Sequence, residues 1–338
     1  MFTAGYSTGF CLDPDRPAWR TNDPRPLVWS AWYPADAQDT VELSDGVDDA
    51  WFKSGPIAPN ARLSEKRAQW PTVLLSHGTG GSADGMGWLG RRLAERGFIA
   101  WGVSHHGNTS IEPYLPEGFA CWWERARDLS VLLDLLTADG PFAGRIDTDS
   151  VFASGFSLGG YAVLCLAGAL TDLDLFEAWR QTEAPEMGGP REFPDLADRL
   201  KRLEQSSETF RRSVARHGQS WRDHRIRAVV AYAPAPTVRA FEPQSVASID
   251  IPVALMTGAA DAEAPFEACT RWLEKQNPSF AVSRLDEPVG HYVFLQEATD
   301  VGKAAEPSIC VDPQGIDRRA IHERAAAAAI DLFARVGA

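Results

Sequence analysis

Long hydrophobic runs are missing from this chain of 338 residues. A membrane-spanning helix needs about 20 consecutive, mostly apolar residues, and no stretch of the sequence approaches that length. The opening MFTAGYSTGFCLDPDRP has neither the basic start nor the apolar stretch of a secretory signal peptide. The sequence therefore predicts a cytoplasmic protein without stable membrane insertion.

Cysteine and positive charge are also scarce. The five cysteines are scattered, odd in number and free of C-x-x-C or Cys/His ligand spacing, so they indicate neither a disulfide framework nor a metal site. The 33 Lys and Arg residues are outnumbered by 46 Asp and Glu residues, which gives a formal net charge of −13. Nucleic-acid binding needs a basic surface that neutralises phosphates, so we expect no nucleic-acid partner.

Hydrophobic residues make up 44% of the chain, enough for a substantial core. From Thr72 onward, short apolar runs that end in glycine or polar residues alternate with amphipathic, helix-like stretches. This alternation predicts an α/β protein with a mostly parallel central sheet flanked by helices. We expect a single domain over residues 1–338, in which residues 26–34 form an edge strand followed by a polar loop.

Residues 172–225 differ from this pattern. They are rich in Arg and Glu and helical in period, with interruptions by Pro and Gly. We predict a helical cap inserted into the domain, with Leu175, Phe176, Trp179 and Phe210 facing a site below it. The alternative is a solvated arm for self-association, which would make the protein a homodimer.

Residues 151–168, VFASGFSLGGYAVLCLAG, place a serine between a strand-like run and a helix-like run. A strand, then Gly155-Phe156-Ser157-Leu158-Gly159, then a helix is the arrangement that raises a nucleophilic serine above a sheet. The alternative is an ordinary serine in a tight turn.

A serine nucleophile needs a base, an acid that orients the base, and donors for the oxyanion. Asp261 follows the apolar strand IPVALM, and His291 follows the next strand in EPVGHYVF, so both should lie at the carboxyl end of the sheet. Glu263 and Asp286 remain alternative acids, and Asp261 could instead be a helix N-cap.

The oxyanion donors are predicted to be two backbone N–H groups. LLSHGTGGS places Thr79 in the turn after the first central strand, where its N–H can point to the same spot as that of Leu158. Residues that follow the next strand, and aromatic residues of the cap, are candidates for substrate binding: His105, His106, Asn108, Tyr114, Trp122, Trp123, Phe176 and Trp179.

Together, DPRPLVWSAWYPA, LSHGTGGS, SHHGNT, GFSLGGY and GHYVF resemble the α/β-hydrolase family, and within it the bacterial dienelactone-hydrolase-like group, which is similar to platelet-activating-factor acetylhydrolase. The resemblance implies a serine hydrolase of small-molecule esters or lactones without a cofactor. It assigns Ser157 as nucleophile, Asp261 as acid, His291 as base, and Thr79 and Leu158 as oxyanion donors. An acyltransferase, an amidase or peptidase, and a non-catalytic binding protein remain alternatives.

Overall fold

The central feature of the structure, a computed structural model that describes residues 1–45, 49–286 and 288–337, is one large twisted sheet. Its strands follow the order β10-β9-β8-β7-β5-β6-β2-β1-β4-β11, and β3 pairs with β4. The six strands from β10 to β6 are parallel to one another, whereas β2 pairs antiparallel with both β6 and β1. The predicted mostly parallel sheet is therefore confirmed.

The strands are β1 (Thr3–Pro17), β2 (Pro24–Ala35), β3 (Val41–Ser44), β4 (Phe52–Pro59), β5 (Trp70–Ser76), β6 (Ile99–Ser104), β7 (Ile146–Phe156), β8 (Ile226–Tyr232), β9 (Val253–Gly258), β10 (Ala281–Leu285) and β11 (Glu297–Ala298). The helices are α1 (Gly87–Glu95), α2 (Pro116–Ala120), α3 (Glu124–Asp139), α4 (Leu158–Ala167), α5 (Leu173–Glu183), α6 (Leu196–Ser206), α7 (Glu208–Val214), α8 (Pro243–Ala247), α9 (Thr270–Gln276), α10 (Asp300–Ala305), α11 (Pro307–Cys310) and α12 (Arg318–Val336).

Both faces of the sheet are buried, because successive side chains of a strand point to opposite sides. In β5, Leu74 packs into a core with α3 and α4, whereas Val73 and Leu75 pack into a second core with α1 and α12. A sheet covered by helices on both faces explains why β5 to β9 read as continuous apolar runs.

The N-terminal region contains more strand than the sequence indicated. In place of one edge strand and a polar loop, it forms β1, β2, β3 and β4. β1 is a strand of 15 residues despite its two glycines and two prolines, because its register against β2 runs from Thr3 opposite Ala35 to Asp13 opposite Arg25. Pairing with a distant segment overrides the weak local preference of such residues for strand.

Helices are also found in residues 172–225, the segment predicted as an insertion. It contains α5, α6 and α7 and lies between α4 and β8. Asp172 accepts a hydrogen bond from the N–H of Asp174 at the start of α5, and Ser207 accepts one from the N–H of Phe210 at the start of α7. Within the described residues, no helix has both the length and the apolar character needed to cross a bilayer.

Candidate active site

Ser157 lies at a sharp turn between β7 and α4. Its backbone adopts φ 54° and ψ −118°, a conformation that non-glycine residues rarely take. The turn is held by hydrogen bonds on both sides of the serine: its N–H donates to the carbonyl of Tyr232, and its carbonyl accepts from the N–H groups of Gly160 and Ala235. These contacts fix the strained backbone at Ser157, whose side chain lines the cavity.

The glycines on either side of Ser157 are required by close backbone contacts. A Cβ on Gly155 would lie 2.1 Å from the carbonyl oxygen of Gly159, and a Cβ on Gly159 would lie 2.0 Å from that of Ser76. Real Cβ atoms do not approach oxygen so closely, so both positions need glycine. The G-x-S-x-G pattern thus reflects the packing of α4 against β7 and β5.

Ser157, His291 and Asp261 form one chain of hydrogen bonds. The Oγ of Ser157 lies 3.0 Å from Nε2 of His291, and Nδ1 of His291 lies 2.8 Å from Oδ2 of Asp261. All three side chains are buried. Since Asp261 can only accept, His291 carries its proton on Nδ1 and leaves Nε2 free to accept the proton of Ser157.

The loops that carry Asp261 and His291 are joined to each other. β9 and β10 are parallel neighbours, so the loops that follow them meet at one edge of the sheet. The N–H of Ala260 donates to the carbonyl of Val289 at 2.9 Å, one residue before Asp261 and two before His291. The His291 ring also packs on Phe156, with 4.8 Å between ring centroids.

Thr79 and Leu158, the two predicted oxyanion donors, line the same cavity as Ser157. Within the described part of the chain neither of their backbone N–H groups has a hydrogen-bond acceptor. Leu158 is the first residue of α4, where N–H groups have no partner inside the helix. An oxyanion hole requires free N–H donors of this kind in the cavity of the reacting serine.

The cavity above Ser157 has a volume of about 1250 Å³. The core and the insertion both contribute to its wall. Four of the eight predicted substrate-binding residues lie there: Tyr114, Trp122, Trp123 and Phe176. Phe210, a further residue of the insertion, also lines it, and Trp122 contacts Phe176 with 4.9 Å between centroids.

The other four predicted substrate-binding residues are not among the residues that line this cavity. The His105 ring bonds to Ser76 and Asp128, and Asn108 links the N–H of Gly80 to the carbonyl of Gly118. His106 bonds to Glu112, and Trp179 packs against Arg239. Because these polar and aromatic groups are engaged inside the protein, the geometry gives them supporting positions rather than substrate contacts.

Of the four apolar residues predicted for the cap, Phe176 and Phe210 line the cavity. Leu175 is 37% exposed and, like Trp179, is absent from the cavity wall. One face of α5 therefore lines the cavity, while Leu175 is turned toward solvent and Trp179 toward Arg239.

A buried cluster of charged residues near the turn of residues 77–81, which carries Thr79, could not be found from the sequence. Arg16 contacts Asp13 at 2.5 Å, Glu124 at 2.9 Å and Asp128 at 2.6 Å. Arg25 and Arg216 also pair with Glu124. Burial alone would raise the pKa of Glu124, but the charges of Arg25 and Arg16 lower it to about 2. Partners such as Arg16 and Glu124 are too far apart in sequence for any local pattern to join them.

Glu124 also connects the core to the insertion. Its Oε1 accepts hydrogen bonds from the hydroxyl of Ser213 at 2.6 Å and from Arg216 at 2.8 Å. The indole N–H of the adjacent Trp123 donates to the carbonyl and the hydroxyl of Ser213. The end of the insertion is thereby anchored to the start of α3, next to the cavity.

Comparison with known proteins identifies the fold. A solved structure, a ferulic acid esterase from Streptomyces cinnamoneus, superimposes with a TM-score of 0.63 at 18% identity, covering 99% of this chain and 90% of that one. The chain has the α/β-hydrolase fold.

Sequence comparison gives shorter matches. A cutinase of Thermobifida fusca is 33% identical over 164 residues, which are 41% of this chain and 47% of the cutinase. A bis(hydroxyethyl) terephthalate hydrolase of Streptomyces coelicolor is 28% identical over 124 residues, 34% of this chain and 37% of that protein. The chain thus spans less than half the length of these curated relatives, and no family model matches it.

Proposed function

We propose that this protein is a serine hydrolase that cleaves carboxylic esters or lactones through an acyl-enzyme intermediate. The observation that carries the proposal is the hydrogen-bonded chain from Ser157 through His291 to Asp261 at the base of a cavity. The similarity to cutinases and to other esterases supports the same reaction class.

In the proposed mechanism, the Oγ of Ser157 attacks the substrate carbonyl while Nε2 of His291 takes its proton. The N–H groups of Thr79 and Leu158 donate to the oxyanion, and Asp261 stabilises the imidazolium. Collapse of the tetrahedral intermediate breaks the C–O bond, and His291 gives its proton to the leaving alcohol. Water then repeats the sequence on the acyl-enzyme and releases the acid and free Ser157.

The cavity favours a bulky, apolar acyl or alcohol group. Its volume of about 1250 Å³ exceeds the usual range of ligand pockets, which ends near 1,000 Å³. Trp122, Phe176 and Phe210 supply flat apolar surface near Ser157. The finer similarity to the dienelactone-hydrolase-like group rests on the sequence motifs alone, and dienelactone hydrolases proper use a cysteine where this chain has Ser157.

The test combines covalent labelling with a substrate panel. A fluorophosphonate probe should label the wild type and not Ser157→Ala. Only the wild type should hydrolyse the substrate panel, which contains aryl esters of increasing acyl length, an aryl benzoate and aliphatic lactones. Loss of a triad nucleophile costs about 10⁶ in turnover. A wild type that is neither labelled nor active, or a fully active Ser157→Ala, would overturn the proposal. Transfer of the acyl group to an added alcohol, in place of water, would indicate an acyltransferase.

A further inference from the structure

Arg125 of α3 is a buried arginine directed at the turn of residues 77–81, which carries Thr79. Its Nη1 donates to the carbonyl of His77 at 2.6 Å, and its Nη2 lies 3.4 Å from the carbonyl of Gly78. It is 2% exposed, and among the described residues it forms no ion pair with a carboxylate. Its hydrogen bonds therefore go to the two backbone carbonyls that precede Thr79.

A buried cation without a paired carboxylate is costly, because the desolvation of the charge is not repaid by a counter-ion. The charge of Asp128 in the adjacent cluster raises the pKa of Arg125, but Asp128 forms no ion pair with it, and burial outweighs this charge and lowers that pKa to about 9. The three carboxylates of the cluster, Asp13, Glu124 and Asp128, are in contact with Arg16, Arg25 and Arg216. Burial and the charge of Arg125 lower the pKa of His105 to about 4, so this ring is neutral at pH 7. Arg125 thus leaves a net positive charge behind the turn.

The contacts of Arg125 determine where the donors of the turn point. In a trans peptide the C=O and the following N–H face opposite directions. The carbonyl of Gly78 is held by His77 Nδ1 at 2.6 Å, the N–H of Gly81 at 3.3 Å and Arg125, so the Thr79 N–H of the same peptide faces away from them, toward the cavity. Arg125 also binds the carbonyl of His77, which belongs to the preceding peptide, so that both carbonyls point toward the guanidinium.

We propose that Arg125 is a positioning residue of the oxyanion hole: its guanidinium holds the carbonyls of His77 and Gly78 in the core, so that the Thr79 N–H is aimed at the carbonyl oxygen attacked by Ser157. Its positive charge also polarises these peptides and favours the negative charge that develops in the transition state. This role rests on the proposed hydrolase function.

The experiment compares Arg125→Met and Arg125→Lys with Arg92→Met. Arg92 is a matched control, since it is also a buried arginine whose Nη1 donates to a backbone carbonyl, that of Trp88 at 2.8 Å in α1. We expect Arg125→Met to lower kcat roughly 10- to 100-fold with KM nearly unchanged, because loss of one oxyanion donor costs 10²–10³ and Arg125 acts through such a donor. Arg92→Met should keep the kcat of the wild type.

A second readout separates positioning from general stability. A boronic acid that forms a tetrahedral anion on Ser157 should bind Arg125→Met more weakly by the same factor as the loss in kcat/KM, whereas a neutral, unreactive ketone analogue should bind with unchanged affinity. If Arg125→Met does not fold, Arg125→Lys gives the same test, with a smaller loss in both kcat and boronate affinity.

The outcomes distinguish the two proposals. If the wild type hydrolyses esters and the Arg125→Met or Arg125→Lys variant keeps the wild-type kcat and boronate affinity, the role of Arg125 is overturned. The proposed hydrolase function is not affected by that result. Equal weakening of boronate and ketone binding also overturns the role of Arg125, because that pattern indicates a distorted cavity. A wild type without hydrolase activity or fluorophosphonate labelling overturns the proposed function itself.

Discussion

Asp261 uses its two carboxylate oxygens for two different partners. Oδ2 lies 2.8 Å from Nδ1 of His291, while Oδ1 accepts the N–H of Ala264 at 2.7 Å. The sequence offered a helix N-cap as the alternative role of Asp261, but no helix begins at Ala264: α9 starts at Thr270 with Cys269 as its N-cap, so the bond from Ala264 closes a local turn. The backbone bond holds the carboxylate still, so that Oδ2 remains directed at the imidazole.

Replacing Asp261 by asparagine should reduce turnover by roughly 10⁴-fold with little loss of fold. The amide can keep Oδ1 on the N–H of Ala264, but it then presents NH₂ to His291 and favours the wrong tautomer. Asp286→Asn and Glu263→Gln are the matched controls. Asp286 is exposed and Glu263 lies on the cavity wall. The turnover of both control variants should therefore fall far less than that of Asp261→Asn. A steeper loss in either control would assign the acid to that residue. The measurement is kcat on an aryl ester.

The glycines at the serine turn give a prediction about stability. A Cβ at position 159 would meet backbone atoms of Ser76 and His77, which cannot move without shifting β5. Gly159→Ala should therefore give little soluble, folded protein. Gly188→Ala is the control, since nothing lies within 4 Å of its added Cβ. Thermal unfolding of both variants checks this, and a Gly159→Ala protein as stable as the control would contradict the packing described for α4.

The features that could be predicted from sequence are those with local signatures. The alternation of apolar strands and helices predicted the central sheet, and the turn chemistry around Ser157 indicated where one strand ends and a helix begins. β1 could not be predicted, because its strand character comes from pairing with β2 and not from its own residues. Trp179 was expected to face the site on the basis of helical period. The helical period indicates which residues share a face of α5. It does not indicate the position of Arg239, against which the Trp179 indole packs.

Buried histidines should make the protein sensitive to acid. Burial lowers the pKa of His105 to about 4 and that of His322 to about 3, and it holds the pKa of His77 well below its usual range. In the unfolded chain these rings titrate near 6.5. Below that pH the unfolded state binds protons that the folded state does not, so the free energy of unfolding falls as the pH drops from about 6.5 toward 4.

The variant that isolates one of these rings is His322→Gln. The His322 ring lies 2.8 Å from the carbonyl of Val293, to which a glutamine amide can also donate. In urea unfolding at pH 7, 6 and 5, the free energy of unfolding of this variant should fall less steeply with decreasing pH than that of the wild type. The two slopes should differ by up to about 1.4 kcal/mol per pH unit. His224→Gln, on the surface, is the control. A slope equal to that of the wild type would show that His322 binds its proton as readily in the folded state.

The last prediction concerns the insertion of residues 172–225, for which a cap over the site and an arm for self-association remain competing roles. Phe176 lies on the cavity wall against Trp122, whereas Trp179, one turn further along α5, packs against Arg239 and does not reach the wall. If the insertion is a cap, Phe176→Ala should change the ratio of kcat/KM between long and short acyl esters by roughly tenfold, since apolar contacts of this size are worth about 1–3 kcal/mol. Trp179→Ala should change this ratio much less.

Gel filtration of the same two variants addresses the competing role. A cap requires no change in oligomeric state on loss of Phe176, because that side chain faces the inside of the cavity. An unaltered substrate profile in Phe176→Ala, accompanied by a smaller apparent mass, would rule out the cap and indicate that α5 belongs to an interface between two copies of the chain. An altered profile at constant mass would support the cap, because Phe176 lies on the cavity wall and its loss then changes the preference among acyl chains without affecting association.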